Sequence, residues 1–207
     1  MFDDAFIQIE HGNAAKILDY LNPLLEGSPF DPALARILSH DLKFYVGYKL
    51  VEVTDYDVNP PRRVSFIYKE EAKPEIYILN GTNEPIYKLN KQAPIILDEK
   101  SVFLYARFFF HYVQGRFGRF LIVENVDEVD WKEEPDPAGK RALAKMINPL
   151  TLKPYKAGED FYLTASIVFK DSLFETDIHI LKDGTVNLTN QELLVEDIPV
   201  LDDIFGQ

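Results

Sequence analysis

The sequence has no cysteine, so disulfide bonds and thiolate metal sites are excluded. A chain without cysteine suits a reducing compartment, and we expect a cytoplasmic location. The first four residues include two aspartates where a signal peptide would be basic, and no apolar core follows them. The most apolar stretch, residues 101–113, contains Arg107 and His111 and falls short of the about 18 residues of a membrane-spanning helix. The sequence therefore predicts neither secretion nor membrane insertion.

Basic residues are scarce: 22 lysines and arginines stand against 34 aspartates and glutamates, giving a formal net charge of -12 at pH 7. This charge argues against nucleic acid or a membrane as a partner, because both are anionic surfaces. The charges are also grouped along the chain. Residues 101–123 and 137–158 carry basic residues and no acid, whereas residues 124–136 are rich in acids and no basic residue follows Lys182. We therefore expect separate basic and acidic surfaces.

The length of 207 residues suits a single domain, residues 1–207, with two sub-lobes at residues 1–98 and 99–207 as a further possibility. A chain of this size hides about 70% of the surface that its unfolded form exposes, so it needs no cross-link. The fold class that the patterns predict is α+β. Antiparallel β-meanders would pack with one buried, aromatic-rich helix and with two to three amphipathic helices.

In the first hundred residues, helix signals come before strand signals. One helix is predicted over Ala14, Ile17, Leu18 and Leu21, and a second short helix should begin at Asp31-Pro32 and bury Leu34, Ile37 and Leu38. A strand is predicted from Phe44 to Leu50, followed by strands at 64–69 and 75–79. Asn80-Gly81 suits a type I′ turn into a further strand, 82–89, which Pro85 would confine to a sheet edge.

Residues 101–114 predict the buried helix, because aromatic and aliphatic residues surround almost its whole circumference. Asp98 is its predicted N-cap and Gly115 its predicted C-terminal glycine. A strand at 120–123 and an amphipathic helix opening at Asp136-Pro137 should follow. The buried face of that last helix is predicted as Ala142, Leu143, Met146 and Ile147.

The C-terminal segment alternates apolar and polar residues over three strands, which is typical of a β-meander. A two-residue turn at Asp171-Ser172 would pair Phe169 with Phe174. For the next turn, a three-residue loop ending at Gly184 separates the apolar and polar faces, whereas a two-residue loop mixes them. The sequence therefore predicts a bulged turn at 182–184, with Gly184 at positive φ.

The outer face of this meander would carry two polar rows that contain no lysine or arginine. These rows are Thr164–His179–Asn187 and Ser166–Asp177–Thr189, with Glu175 beside them. Short hydrogen-bonding side chains of this kind could line a ligand groove. A histidine and a carboxylate two residues apart on a strand point the same way and also suit acid–base or metal chemistry. The plainer interpretation is a half-exposed, solvated sheet face.

Two further polar residues lie one helical turn apart in the apolar helix, Arg107 and His111. An arginine–histidine pair that faces a cavity could hold a carboxylate or a phosphate, but such a stripe also marks the solvent edge of a helix. The glycines and arginines at 115–119 follow a helix instead of preceding one, so they do not form a phosphate loop.

We expect a non-catalytic binding or accessory protein, with no catalytic residue, no metal and no cofactor. Its ligand would be a protein or a small molecule, and its oligomeric state is left open. The candidate ligand-binding residues are Thr164, Asp177, His179, Asn187, Arg107 and His111. The alternatives are a small-molecule enzyme that uses His179 and Asp177, and an acidic protein that neutralises a basic partner. The acidic and apolar tail, residues 191–207, would either fold on its own core or dock on a partner.

Overall fold

A computed structural model describes residues 5–154, 156 and 158–201. The chain divides into two compact units, Met1–Asn80 (unit 1) and Gly81–Gln207 (unit 2). Both units combine helices with an antiparallel sheet, so the predicted α+β class is confirmed. Within the described residues, no helix is long and apolar enough to cross a membrane.

The described part of unit 1 contains one α-helix, a short 3-10 helix (Asn22–Leu24) and a sheet of consecutive antiparallel strands in the order β1-β2-β3-β4-β5. The elements are β1 (Ile7–Gln8), α1 (His11–Leu21), β2 (Ala35–Asp41), β3 (Lys49–Asp55), β4 (Arg62–Lys69) and β5 (Glu75–Ile78). The predicted helix is confirmed as α1, whose apolar residues at helical spacing are all buried: Ala14, Ile17, Leu18 and Leu21. They pack against Val51, Val53 and Phe66 of the sheet.

Two predictions for unit 1 were wrong. Asp31-Pro32 does not open a helix: the Asp31 carboxylate accepts a hydrogen bond from the Ala33 N–H at 2.8 Å and closes a turn before β2. Leu34 is consequently exposed. Of the strand predicted from Phe44 to Leu50, residues 44–48 lie in the loop between β2 and β3, and only Lys49 and Leu50 are in a strand, at the start of β3. The aromatic residues of this loop are buried, which gave the segment an apolar, strand-like composition: Phe44, Tyr45 and Tyr48.

Unit 2 contains α2 (Glu84–Gln92), α3 (Ser101–Tyr112), β6 (Gln114–Gly115), β7 (Gly118–Val123), α4 (Pro137–Ala144), β8 (Thr151–Leu152), β9 (Phe161–Phe169), β10 (Ser172–Ile180) and β11 (Val186–Val195). Its main sheet has the order β11-β10-β9-β7-β6, and β8 pairs with β9 beside this path. All these pairs are antiparallel. The strand predicted at 120–123 is confirmed as part of β7.

The predicted hairpin after Asn80-Gly81 is wrong, because the chain enters helix α2. Pro85 occupies the first turn of this helix, where its missing N–H has no intrahelical partner to lose. Ile86 and Leu89, three residues apart, are both fully buried. Gly81 has a φ of 82°, and its carbonyl accepts a hydrogen bond from the Gln114 N–H at 2.7 Å.

The predicted buried helix is confirmed as α3. The Asp98 carboxylate accepts hydrogen bonds from the backbone N–H groups of Lys100 and Ser101, at 2.9 and 2.6 Å, which caps the start of the helix. Gly115 is not its C-terminal glycine but lies in β6. A Cβ at this position would lie 2.5 Å from the Phe120 ring. Glycine is therefore required, because the Phe120 ring packs directly against the backbone of residue 115.

Helix α3 is the centre of a buried aromatic cluster in unit 2. The ring of Tyr105 lies 6.4 Å from that of Phe108 and 6.1 Å from that of Phe109. The stack continues from Phe110 to Phe120 of β7, and from Phe120 to Phe169 of β9 at 4.5 Å. The Tyr105 hydroxyl donates to the Gly184 carbonyl at 2.6 Å, which fixes the helix against the β10–β11 turn.

The C-terminal meander confirms one predicted turn and corrects the other. Gly184 has a φ of 80°, and Ile180 pairs with Val186 as the bulged turn requires. The turn between β9 and β10 is at Lys170-Asp171, so Phe169 pairs with Ser172 instead of Phe174. The predicted register was therefore wrong by two residues. An even shift leaves every side chain on its predicted face.

Helix α4 begins as predicted, with the Asp136 carboxylate accepting from the N–H groups of Ala138 and Gly139. The predicted buried face is only partly correct. Ile147 is buried and Leu143 partly buried, but the helix ends at Ala144, and Ala142 and Met146 are exposed. The basic residues of this helix should also attract the acid-rich segment 124–136, and this prediction from the sequence is confirmed for Lys140. Lys140 Nζ lies 2.9 Å from Asp127 and 3.1 Å from Glu134 of the acidic segment.

After β11 the chain forms a strap, residues 196–201, on the core of unit 2. Ile198 and Val200 are buried in a cluster with Val123, Val168 and Leu173. The Lys132 N–H donates to the Pro199 carbonyl at 2.8 Å, and the Leu201 N–H donates to Asp130 at 2.7 Å. The described part of the tail therefore folds on its own core, and residues 202–207 lie outside the described residues.

Candidate functional site

The outer face of the C-terminal meander holds a polar network centred on Asp177. Its Oδ1 atom accepts from the Thr164 hydroxyl at 3.1 Å and lies 2.6 Å from Lys153 Nζ. Its Oδ2 atom accepts from Asn190 Nδ2 at 2.8 Å. The network thus engages both carboxylate oxygens of Asp177. In the observed register Thr164 lies opposite Asp177, whereas the sequence predicted that it lies opposite His179.

Asp177→Asn should reduce stability at neutral pH but not in acid. The ammonium group of Lys153, with Asn190 and Thr164, lowers the pKa of Asp177 against the opposing effect of burial. A lowered folded-state pKa adds stability above the unfolded pKa of about 3.9, and this stability is lost as the pH falls through the folded value. Denaturant unfolding at several pH values should show the difference between wild type and variant shrinking as the pH falls below about 4 and vanishing below the folded-state pKa. A difference that is constant with pH would contradict this assignment.

His179 pairs with residues that the sequence did not indicate. Its Nε2 atom lies 3.2 Å from Asp160 Oδ2, and its ring stacks on Tyr162 at 4.3 Å between centroids, with 9° between the planes. Asn187 lies opposite His179 on β11, as predicted. Asp177 and His179 therefore take part in two separate contacts. Asp177 pairs with the basic Lys153, and His179 pairs with the acidic Asp160. No group of three or more histidine, cysteine, aspartate or glutamate side chains within the described residues has a metal-binding arrangement.

Arg107 binds a carboxylate of its own chain. Its Nε and terminal Nη2 atoms lie 2.7 and 2.6 Å from Oε2 of Glu124. The other oxygen of Glu124 accepts from the Leu150 N–H at 3.2 Å. This arrangement connects α3 to the chain that follows β7. The His111 ring contacts the neighbouring Tyr112 ring edge-on at 4.7 Å.

Unit 1 contains a groove of about 650 Å³, within the range of about 300–1,000 Å³ that is typical of small-molecule sites. It lies beside α1, with Ile17 of the helix and Val51 of β3 among its apolar lining. Asn13 and Tyr20 of the same helix also line it, as do Glu70 and Glu71 after β4. Because all lining residues belong to unit 1, the groove forms within this unit.

Two residues of the groove lining carry hydroxyl groups and are almost fully buried as residues. Ser39 is 6% exposed and Tyr68 is 8% exposed. Neither side chain hydrogen-bonds to another residue in the described part of the chain. Burial raises the pKa of Tyr68, and the carboxylate of Glu70 and the phenol of Tyr20 raise it further. The Tyr68 phenol therefore stays protonated and can donate a hydrogen bond to an occupant.

Sequence reasoning missed the groove entirely. Ser39 was one residue beyond a segment interpreted as helix, and its true strand places it opposite Val51 and Ile7. Tyr68 lies in a correctly predicted strand. It lines the groove only because α1 packs against the sheet, and this packing could not be predicted from the strand pattern. A polar residue inside an otherwise apolar strand face was the one local signal available.

Comparison of the chain with protein-family models, with curated proteins and with solved structures finds no match.

Proposed function

We propose that the chain is a cytoplasmic, non-catalytic binding protein and that the groove of unit 1 holds its small-molecule ligand. The observation that carries the proposal is the pair of hydroxyl-bearing residues Ser39 and Tyr68 in the groove lining, beside the apolar residues Ile17 and Val51. Neither hydroxyl has a partner in the described part of the chain, so each can hydrogen-bond to a ligand in the groove, an interaction worth about 1 kcal/mol.

The charges around the groove indicate a neutral ligand group beside Tyr68. Glu70 is close enough to Tyr68 to raise its pKa, and Glu71 and Glu10 also line the groove. Lys16 and Lys49 line the groove as well, but Glu70 beside Tyr68 disfavours a carboxylate or phosphate at that hydroxyl, whereas a carbonyl or hydroxyl oxygen can accept a hydrogen bond from it. We therefore propose a neutral, largely apolar molecule with an oxygen acceptor. The net charge of -12 supports a ligand of this kind over nucleic acid or a membrane surface.

Catalysis, a cofactor and a metal form no part of this proposal. The residues of the enzymatic alternative, Asp177 and His179, make contacts with Lys153 and Asp160, which supports a structural role for both. The absence of cysteine supports the cytoplasmic location.

A dye titration tests the groove directly. Nile red is neutral, apolar and carries a carbonyl, and its fluorescence should rise saturably with the purified protein. Asn13→Trp places an indole in the groove and should weaken binding by about tenfold, because the space is lost. Tyr68→Phe removes one donor and should weaken it by about fivefold, as one hydrogen bond of about 1 kcal/mol predicts.

Asp19→Trp is the matched control, because Asp19 is exposed on the same helix and does not line the groove. Its affinity for Nile red should equal that of the wild type. Binding that Asn13→Trp and Asp19→Trp reduce equally, or no binding to the wild type, would contradict the proposal. Native mass spectrometry of the protein as purified would then identify any natural occupant by its mass.

A further inference from the structure

Strand β11 forms the end of the main sheet in unit 2, where β10 is its neighbour. The turn between them shows which backbone groups face β10. The Leu181 N–H donates to the Thr185 carbonyl at 2.9 Å, so residues 181 and 185 form a hydrogen-bonded pair. Because such pairs alternate along an antiparallel ladder, Asn187 also directs its N–H and C=O to β10. The N–H and C=O of Leu188 therefore point away from the sheet.

The contacts of Val186 confirm this orientation. Its N–H donates to the Tyr87 hydroxyl at 3.0 Å, on the side away from β10. Helix α2 thus covers the edge at Val186 and leaves it open at Leu188. Within the described part of the chain, no residue donates to or accepts from the outward backbone groups of Leu188.

An apolar pocket of about 270 Å³ adjoins this open edge. Phe109 and Phe110 of α3, Phe120 of β7 and Leu188 of β11 line it. A free strand edge beside an apolar pocket is the arrangement that binds extended peptides, in which the backbone supplies affinity and one side chain enters the pocket. The open edge and the pocket are two separate observations, and residues 186–188 of β11 belong to both.

A bulge limits the length of any strand that could add here. The pairing of β10 with β11 shifts by one residue between Asp177 and Glu175, and Asn190 has a φ of 49°. A bulge interrupts the regular edge, so residues 186–189 form the regular part. Bulged edges resist open-ended sheet growth, and a short segment is therefore favoured over continuous association.

Acidic residues that follow the bulge along the chain define the partner further. Glu192 is exposed on β11, and Glu196 and Asp197 follow it, while no basic residue follows Lys182. We propose that the β11 edge binds an extended segment of a partner protein. An apolar side chain of this segment would enter the pocket lined by Phe109, Phe110 and Phe120, and the segment would carry a lysine or arginine near that side chain. The apolar anchor and the backbone pairing hold the segment, and the acidic residues steer it.

Selection from a phage-displayed library of random peptides against the full chain tests this proposal. The enriched peptides should share an apolar residue with lysine or arginine near it. A synthetic peptide of that sequence should bind about tenfold more weakly to Leu188→Pro, which lacks the outward N–H, and should be weakened by Glu192→Lys. Leu188→Val keeps the N–H and is the control for the first variant, and Glu159→Lys, an exposed position elsewhere, is the control for the second.

Hydrogen exchange of the wild-type protein provides a second measurement, which does not depend on whether Leu188→Pro folds. In the wild type, the Leu188 amide should exchange quickly alone and more slowly with the peptide bound. No enrichment, peptides that bind the proline variant as tightly as the wild type, or an unprotected Leu188 amide would overturn the proposal. A concentration-dependent dimer in sedimentation that Leu188→Pro abolishes would also overturn it, since a second copy would then occupy the edge.

Discussion

Truncation after Glu196 should lower the free energy of unfolding by about 3–6 kcal/mol, because it removes two buried aliphatic side chains worth about 1.5–3 kcal/mol each. These are Ile198 and Val200, which are 5% and 2% exposed. The truncation also removes the backbone hydrogen bonds between Lys132 and Pro199 and between Leu201 and Asp130. Denaturant unfolding followed by circular dichroism measures the loss.

The loss should depend little on salt, since apolar burial and not charge holds the strap. Glu196→Gln combined with Asp197→Asn in the full chain is the control. Both residues are exposed, so the change should stay within about 0.5 kcal/mol. A truncated chain that unfolds at the same denaturant concentration as the full chain would show that the strap adds no stability. The acidic tail would then become a candidate for docking on a partner.

Gly184→Ala should lower the free energy of unfolding by about 2–4 kcal/mol. Its φ of 80° costs an alanine about 1–2 kcal/mol, and the added Cβ would lie 2.4 Å from Asn90 Nδ2 and 3.0 Å from the Tyr105 hydroxyl. Overpacking of this kind adds about 1–3 kcal/mol. The displaced Tyr105 would also lose its 2.6 Å hydrogen bond to the Gly184 carbonyl.

Gly158→Ala separates the two contributions. Gly158 also has a positive φ, of 91°, but the nearest atom to its added Cβ is Lys182 Nζ at 4.0 Å. It should therefore lose only the conformational part, about 1 kcal/mol. Equal losses in the two variants, measured by chemical denaturation, would mean that the contact between α3 and the turn adds nothing.

The elements that the sequence predicted well are those in which one local pattern dominates. Helix α3 is apolar around most of its circumference, and α1 repeats its apolar residues at helical spacing. The turn at Gly184 was predictable because only one loop length kept the apolar residues on a single face. The same rule failed at Lys170-Asp171, because both registers there keep every side chain on the same face.

The wrong predictions arose where tertiary packing outweighs local preference. The loop between β2 and β3 buries three aromatic residues, and buried aromatics in sequence resemble a strand. Pro85 was compatible with an edge strand and with a first helical turn, and only the burial of Ile86 and Leu89 distinguishes the two. In the polar network of the meander, the sequence predicted Asp177, His179 and Asn187 but not the partners of Asp177 and His179, and it did not predict the groove of unit 1. The partners Lys153 and Asp160 lie far from Asp177 and His179 in sequence. No local sequence pattern indicates that these residues come into contact.

The strap also has a consequence for how the chain is made. All described pairs of the unit 1 sheet lie between Ile7 and Ile78, so this sheet can form while the ribosome is translating the residues of unit 2. The cluster in unit 2 that contains Val123 and Val168 receives Ile198 and Val200 only after its other buried members have been translated. Until then its apolar surface is uncovered, and such surfaces are where nascent chains aggregate. We therefore expect ribosome-stalled chains that stop before Ile198 to recruit chaperones more strongly than chains that include Val200.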